Sequence, residues 1–251
     1  MKYIKKLLKS WKINIIIILL LSILAFFTNL RLRDFILEIK YDLLYSNIEV
    51  KSPEKIDSIV NSFEIISYDD LNQEYLKTTN SDIPKYKKLI KNLSYYKIYN
   101  TDLNQYIVGK YRLKAFICKD DFYKDCVMNK SDYVICILNP KISHKTLALI
   151  NELEKANYNP YAFKIVNGHR HPKYNEKVGG ASLSRHIKGE AVDISVQDIN
   201  KDGTINKADK DIVLDLLETK IIKNEGGNGL YPGTKSVHYD VRGYRARWNT
   251  Y

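Results

Sequence analysis

The sequence predicts an α+β domain that follows an N-terminal transmembrane helix. Three observations support this prediction: an uncharged apolar segment near the N-terminus, strand and helix patterns that alternate after about residue 104, and a chain of 251 residues that is 45% hydrophobic. Such a chain can form one packed domain with additional segments, and it is too apolar for a fully disordered protein.

The apolar segment runs from Ile13 to Leu30 without a charged residue. A helix rises about 1.5 Å per residue, so this segment covers most of a hydrocarbon core of about 30 Å. It is either a membrane anchor or a signal peptide, and we favour an uncleaved anchor because no small-residue cleavage site follows it. Five lysines precede it, which by the positive-inside rule predicts a cytoplasmic N-terminus: Lys2, Lys5, Lys6, Lys9 and Lys12.

We therefore expect residues 1–30 to be a cytoplasmic tail and membrane anchor, and the C-terminal domain of a single-pass cell-membrane protein to be extracytoplasmic. The net charge of +11 would also suit a nucleic-acid-binding protein. Removing the five lysines of the tail leaves about +6 on the rest, and that part contains no recognisable nucleic-acid-binding fold. We expect the membrane to be a partner and nucleic acid not to be one.

Residues 31–104 begin with apolar side chains at helical spacing, among them Phe35, Ile39 and Leu43, and the pattern breaks at Pro53. This stretch contains no motif that indicates a function. We interpret residues 31–104 as a helical stalk or connector of unknown role.

The folded domain is predicted to span residues 105–251. The segments YIVGKYRLKAFI, DYVICILN and AFKIVNG have the apolar runs of strands, and SHKTLALINELEKAN has the spacing of an amphipathic helix. The three cysteines exclude a disulfide scaffold. Cys118 and Cys126 are either free or joined in an extracytoplasmic disulfide, and their spacing does not decide between these alternatives.

Two short motifs contain candidate metal ligands. The segment S-R-H-I-K-G-E-A-V-D, residues 184–193, supplies His186 and Asp193, and the segment V-H-Y-D, residues 237–240, supplies His238. Catalytic zinc commonly takes three such ligands and leaves a fourth position open. Gly189 can turn the chain after His186, and strand alternation then brings Asp193 near it. The spacing permits one zinc site shared by two strands.

The S-x-H-x-x-G-x-A-x-D pattern with a distant H-x-D resembles the zinc D-alanyl-D-alanine peptidases, a family of cell-wall carboxypeptidases and endopeptidases. The resemblance covers roughly residues 132–251 and includes N-G-H-R-H-P-K-Y-N, residues 167–175, although the two histidines beside the arginine depart from the family pattern. It implies a small antiparallel sheet with flanking helices. It also implies that the substrate's anionic groups are held by Arg170 and that zinc is bound by His186, Asp193 and His238.

The resemblance implies a zinc-dependent peptidase that cleaves D-amino-acid-containing bonds of peptidoglycan stem peptides, as a D,D-carboxypeptidase or an endopeptidase. Family members carry an acidic residue or a histidine shortly before the last zinc histidine, whereas residues 233–237 offer no base. Asp240 is a catalytic candidate, although we rate it higher as a partner that orients a histidine. Weaker candidates for the base are Glu190, His169, His171 and Glu225. The alternative function is a non-catalytic, zinc-containing module that binds cell-wall peptides.

A second metal motif lies between the zinc ligands. The segment D-I-N-K-D-G-T-I-N-K-A-D, residues 198–209, matches the EF-hand calcium loop, with Gly203 at position 6 and Asp in place of the usual Glu at position 12. Its calcium ligands would be Asp198, Asn200, Asp202, Thr204 through its carbonyl, Asn206 and Asp209. The alternative is an Asx-rich turn between a strand and a helix. We expect calcium to stabilise this insertion rather than to take part in catalysis.

Overall fold

The computed structural model describes residues 15–25, 28–45 and 49–249. Helices have the following bounds: α1 Leu30–Tyr45, α2 Pro53–Asn61, α3 Gln73–Thr78, α4 Pro84–Ile90, α5 Asp121–Val127, α6 Pro140–Lys155, α7 Pro172–Lys177 and α8 Lys207–Leu216. Strands have these bounds: β1 Glu64–Ile66, β2 Tyr95–Tyr99, β3 Tyr106–Val108, β4 Tyr111–Arg112, β5 Tyr133–Ile137, β6 Phe163–Asn167, β7 Ala191–Val196, β8 Gly227–Gly229, β9 Ser236–Asp240 and β10 Ala246–Trp248.

The largest sheet has the strand order β10-β8-β9-β7-β6 and is antiparallel except where β10 pairs with β8. In β7 the side chains of Val192 and Ile194 enter the core, whereas Asp193 faces the other side, as a period of two requires. Helices α6 and α8 contribute to the same core through residues such as Leu149 and Val213. The predicted α+β fold with small antiparallel sheets and helices is confirmed.

A second sheet pairs strands from both sides of the predicted domain boundary at residue 104. Its order is β1-β2-β5, and both pairs are antiparallel. Helix α2 also packs its apolar side chains, such as Ile56 and Val60, into the core that contains α6. The segment of residues 49–104, which was predicted to be part of a stalk, therefore shares a sheet and a hydrophobic core with the rest of the chain.

The N-terminal region contains no described helix that is by itself long and apolar enough to cross a membrane. The stretches Ile15–Ala25 and Leu30–Leu44 reach that length and composition together, but their axes differ by 96° at the break between them. The five lysines of the predicted cytoplasmic tail lie in residues 1–14, outside the described residues.

All three cysteines are free and buried, so the disulfide that was left open between Cys118 and Cys126 is not formed. Burial raises the pKa of the Cys126 thiol to about 11. Cys136 lies in β5 and packs in the core, as its apolar surroundings in the sequence indicate.

Gly189 brings the first metal motif against the second sheet. It ends the single turn Arg185–Lys188 with φ 63, in the left-handed region that favours glycine. A Cβ atom at this position would lie 2.2 Å from the carbonyl oxygen of Ile137 in β5. The close approach and the backbone conformation both require glycine, and together they fix where the turn that carries His186 sits.

We predict that Gly189→Ala destabilises the fold more than Gly179→Ala, measured as the free energy of unfolding in guanidinium chloride. Gly179 also has a positive φ, 71, but open space surrounds its Cβ position. The control should therefore lose only the left-handed conformational cost of about 1–2 kcal/mol. Gly189→Ala should lose that amount and the cost of the clash with Ile137. Equal losses would show that the contact with β5 is not tight.

Candidate metal centre

Three potential ligand side chains meet above the largest sheet. His186 comes from the turn Arg185–Lys188, Asp193 from β7 and His238 from β9, where Asp193 and His238 are directly paired across the strands. His186 Nε2 lies 3.1 Å from Asp193 Oδ1 and 3.2 Å from His238 Nδ1. His238 Nδ1 lies 2.8 Å from Asp193 Oδ1. The residues that the sequence nominated as zinc ligands therefore converge on one point.

In each histidine, one ring nitrogen points away from the three candidate ligands, and its hydrogen bond fixes which nitrogen faces them. His186 Nδ1 donates to the carbonyl oxygen of Gly168 at 2.6 Å, and His238 Nε2 donates to Asp240 Oδ2 at 3.2 Å. Neither oxygen can donate, so each outer nitrogen carries its ring's proton. The lone pairs of His186 Nε2 and His238 Nδ1 then face the Asp193 carboxylate. A cation between the three groups makes such an arrangement favourable.

The distances fit zinc. Tetrahedral zinc binds nitrogen and oxygen at about 2.0–2.2 Å, so two of its ligand atoms lie about 3.3 Å apart. The three edges between the ligand atoms range from 2.8 to 3.2 Å. Two imidazole nitrogens and one carboxylate oxygen are also the donor types of catalytic zinc centres. The group can hold a zinc ion with three protein ligands.

The second oxygen of Asp193 is held by two residues of the neighbouring chain segment. Asn167, which is paired with Asp193 across β6 and β7, donates to Oδ2 at 3.3 Å, and Arg170 Nη2 donates to the same oxygen. These bonds direct Oδ1 toward the histidines. Arg170 is 8% exposed, and its buried Nε has no hydrogen-bond partner. Arg170, which was predicted to bind substrate, thus positions the candidate ligand Asp193, and its Nε–H group has no acceptor.

The electrostatics of the group favour a cation. Burial raises the pKa of Asp193, but the charges and hydrogen bonds of His186 and His238 outweigh burial and hold the pKa well below its usual range. Burial lowers the pKa of His186, which keeps its imidazole neutral, as a metal ligand must be. Burial also acts to lower the pKa of His238, yet hydrogen bonds and charges from Asp193 and Asp240 raise it overall. The two carboxylates favour positive charge on or beside this ring.

Asp240 lies behind His238, on the side away from the other two ligands. Its carboxylate accepts from Gly227 N at 2.9 Å and from Arg242 Nη2 at 2.6 Å, in addition to His238 Nε2. Burial alone would raise the pKa of Asp240, but the hydrogen bonds from His238 and Arg242 outweigh burial and hold the pKa below its usual range. A fully buried carboxylate with these partners orients the histidine. It does not line the cleft in front of the metal group.

That cleft has a volume of about 910 Å³ and contains all three candidate ligands. Among its described lining residues Asp193 is the one carboxylate. Three guanidinium groups line it, those of Arg170, Arg185 and Arg242. Arg185 and Arg242 each bind a carboxylate, of Glu190 and Asp240, but both also face the cleft. The cleft thus has a cationic wall beside the metal group.

The weaker candidates for the base lie elsewhere. Glu190 pairs with Arg185 and Lys188, each at 3.0 Å, and Glu225 lies 3.7 Å from Lys145. Burial lowers the pKa of His169 to about 3, so this ring stays neutral. None of these residues lines the cleft, and His171 does not line it either.

His171 belongs to a second group of potential metal ligands, together with Cys118 and Asp120. Its Nδ1 accepts the backbone N–H of Tyr174 at 3.1 Å, so the proton is on Nε2, which donates to Asp120 at 2.8 Å. Asp120 in turn accepts the N–H of Tyr123 at the start of α5. Both ring nitrogens are occupied, and the group acts as a structural cap.

Two aromatic residues of the cleft were missed in the sequence. The Trp248 ring lies 5.1 Å from the His238 ring, and its Nε1 donates to the Tyr231 hydroxyl at 3.3 Å. Both residues line the cleft. The glycine-rich stretch before His238 contains the buried strand β8, where Gly229 pairs with Trp248.

These observations define a class of site: two histidines and one aspartate that can hold zinc, on an α+β sheet and open to a cleft. The comparison with protein families agrees, because residues 118–240 match Peptidase M15. This part of the chain belongs to that family of zinc peptidases, which confirms the resemblance seen in the sequence. All three candidate zinc ligands lie within the matched segment. Neither a curated protein nor a solved structure matches the chain.

We predict a graded response of zinc affinity to three substitutions, measured by isothermal titration with zinc and by metal content after dialysis. His186→Ala should abolish stoichiometric binding, because it removes a ligand. Asp240→Asn should weaken binding about 10- to 100-fold, the usual cost of losing a group that orients a ligand. His144→Ala should have no effect, since His144 pairs with Asp57 in another part of the fold. Stoichiometric zinc on His186→Ala would contradict the assignment.

Proposed function

We propose that the protein is a membrane-anchored, extracytoplasmic zinc peptidase that hydrolyses D-amino-acid-containing bonds of peptidoglycan stem peptides. The observation that carries the proposal is the triangle of His186, Asp193 and His238 facing an arginine-lined cleft. Membership of the Peptidase M15 family supports zinc peptidase chemistry. The cell-wall substrate follows from the motif resemblance, and the protein acts either as a D,D-carboxypeptidase or as an endopeptidase.

The cationic wall of the cleft suits an anionic peptide. A bound zinc ion supplies Lewis acidity, which activates water and polarises the scissile carbonyl group. Arg170 is always charged and lines the cleft, where its guanidinium group can donate to a substrate carboxylate or to the oxygen that becomes negative during hydrolysis. Arg185 and Arg242 face the same space and add to the attraction. A stem peptide with a free C-terminal carboxylate meets these requirements.

The apolar segment at residues 13–30 supports the membrane anchor. Most of its described side chains are exposed, with Leu20 and Leu24 among them. Exposed apolar surface of this extent marks a contact with lipid or protein. The lysine-rich start of the sequence and the positive-inside rule support an extracytoplasmic peptidase domain.

A second candidate function is a non-catalytic module that binds cell-wall peptides through zinc and the arginines. A specific observation favours it: the described cleft lining contains no carboxylate besides Asp193, so no dedicated base accepts the proton of the attacking water. The side chains that remain for this task are hydroxyls, including Ser236 and Tyr231, and the metal ligands themselves.

We predict that the full chain in detergent micelles, loaded with zinc, cleaves stem pentapeptides or their cross-linked dimers, with products identified by mass spectrometry. Loss of a terminal D-Ala indicates a carboxypeptidase, and a split cross-link indicates an endopeptidase. His186→Ala and chelated protein should lose cleavage, whereas His144→Ala should retain it. Intact substrate that nevertheless binds to zinc-replete protein would identify the non-catalytic module.

We also propose a calcium ion in the loop of residues 198–209. The loop already has the backbone of such a site: Lys201 and Gly203 have φ values of 65 and 84, and Asp198 accepts the N–H groups of Asp202 and Gly203. Asp209 departs from the motif. Its two oxygens accept the N–H groups of Ile199, Asn200 and Asn206 and cap α8. Calcium binding would therefore depend mainly on the other five positions.

Calcium should raise the unfolding temperature of the protein, because a ligand of the folded state stabilises it by about 2.7 kcal/mol at 100 times its Kd. Asp202→Asn should remove most of this increase. Asp211→Asn changes the charge equally but affects a residue of α8 that pairs with Lys207, so it should keep the increase. The same unfolding temperature with and without calcium would favour a turn that needs no metal.

A further inference from the structure

Helix α1 presents its acidic side to the folded domain. Asp34, Glu38 and Asp42 are spaced by four residues and therefore share one face. Asp34 and Glu38 each lie 2.5 Å from Lys114 Nζ, and Asp42 lies 2.7 Å from Arg112 Nη2. The Lys114 side chain is only 8% exposed, so this ion pair lies within the interface.

Tyrosine contacts complete the same interface. The hydroxyl of Tyr106 donates to Asp42 at 2.5 Å, and that of Tyr123 donates to Asp34 at 3.3 Å. The rings of Tyr41 and Tyr106 meet edge to face at 5.7 Å. The polar face of α1 is thus specifically bound to the domain.

A neighbouring face of α1, about 100° around the helix axis from the acidic face, is apolar and exposed. Phe35, Ile39 and Leu43 are 57%, 43% and 79% exposed, and their spacing of four residues places them on one stripe. Ile36 and Leu44 are exposed as well. A helix on the surface of a globular protein normally has the reverse arrangement, with its apolar face toward the core. The domain itself therefore does not cover the apolar face of α1.

The neighbouring segment indicates what covers it. Helix α1 starts at Leu30, after a short break that follows the apolar stretch Ile15–Ala25, and the two axes differ by 96°. If the apolar stretch follows the membrane normal, α1 lies nearly in the membrane plane. A helix in that plane buries its apolar face at the boundary between headgroups and acyl chains. The exposed cations Arg31 and Lys40 lie at this level and can meet anionic headgroups.

We propose that α1 lies on the outer surface of the lipid bilayer, with Phe35, Ile39 and Leu43 inserted, and that its acidic face holds the peptidase domain against the membrane. This inference rests on the proposed membrane anchor. It goes further by assigning an orientation: the domain is docked to the bilayer through α1 and does not extend from it on a free tether.

The test uses the full chain with one added cysteine that carries an environment-sensitive fluorophore, in vesicles of phosphatidylglycerol and phosphatidylethanolamine. The native cysteines are buried, so labelling is selective. The label is placed at Leu43 in α1, at Leu20 in the apolar stretch, and at exposed Lys155 as a control outside both. Lipids with a nitroxide near the headgroup or deep in the acyl chain serve as quenchers.

We expect the emission of the Leu43 label to shift to shorter wavelength and to be quenched by the shallow nitroxide. The Leu20 label should be quenched by the deep nitroxide, and the Lys155 label should be quenched by neither. Quenching at Leu20 with none at Leu43 would overturn the inference while leaving the anchor intact. A Leu43 label that is shielded from aqueous iodide but not quenched by nitroxide lipids would indicate a second protein copy and would also overturn it. Absence of quenching at both Leu20 and Leu43 would refute the anchor itself.

Discussion

The site depends on the convergence of three electron-pair donors that would repel one another without a cation. The antiparallel register of β7 and β9 sets Asp193 directly opposite His238, and the left-handed turn at Gly189 delivers His186 to the same point. Strand pairing fixes two ligands to the precision of a hydrogen-bonded ladder. The remaining freedom is in the ring orientations, and the Gly168 carbonyl and Asp240 remove it. The sheet therefore preorganises the centre.

Two arginines offset the cost of burying two aspartates beside this centre. Arg170 binds Asp193 from the cleft side, and Arg242 binds Asp240 from behind. A buried carboxylate without such a partner would take up a proton and lose its value as a ligand or an acceptor. Because both arginines also face the cleft, the groups that stabilise the candidate metal centre also form part of the cationic wall of the cleft.

The sequence predicted the ligand set because each ligand belongs to a short motif whose local geometry is fixed by a strand or a tight turn. His186 and Asp193 are seven positions apart, and the alternation of β9 puts His238 and Asp240 on one face. The participation of residues 49–104 in the second sheet could not be predicted in the same way, since the pairing of β2 with β5 is non-local. Trp248 was missed because its place beside His238 depends on the contact of β10 with β8.

If His186, Asp193 and His238 bind one zinc ion and leave a coordination position open, X-ray absorption spectroscopy at the zinc edge of the zinc-loaded full chain will show it directly. We expect a four-coordinate site with nitrogen and oxygen donors only, the multiple-scattering signature of two imidazoles, and ligand distances of about 2.0–2.2 Å. A sulfur donor at about 2.3 Å would point to a cysteine such as Cys118 and would contradict the assignment, as would a spectrum without two imidazoles.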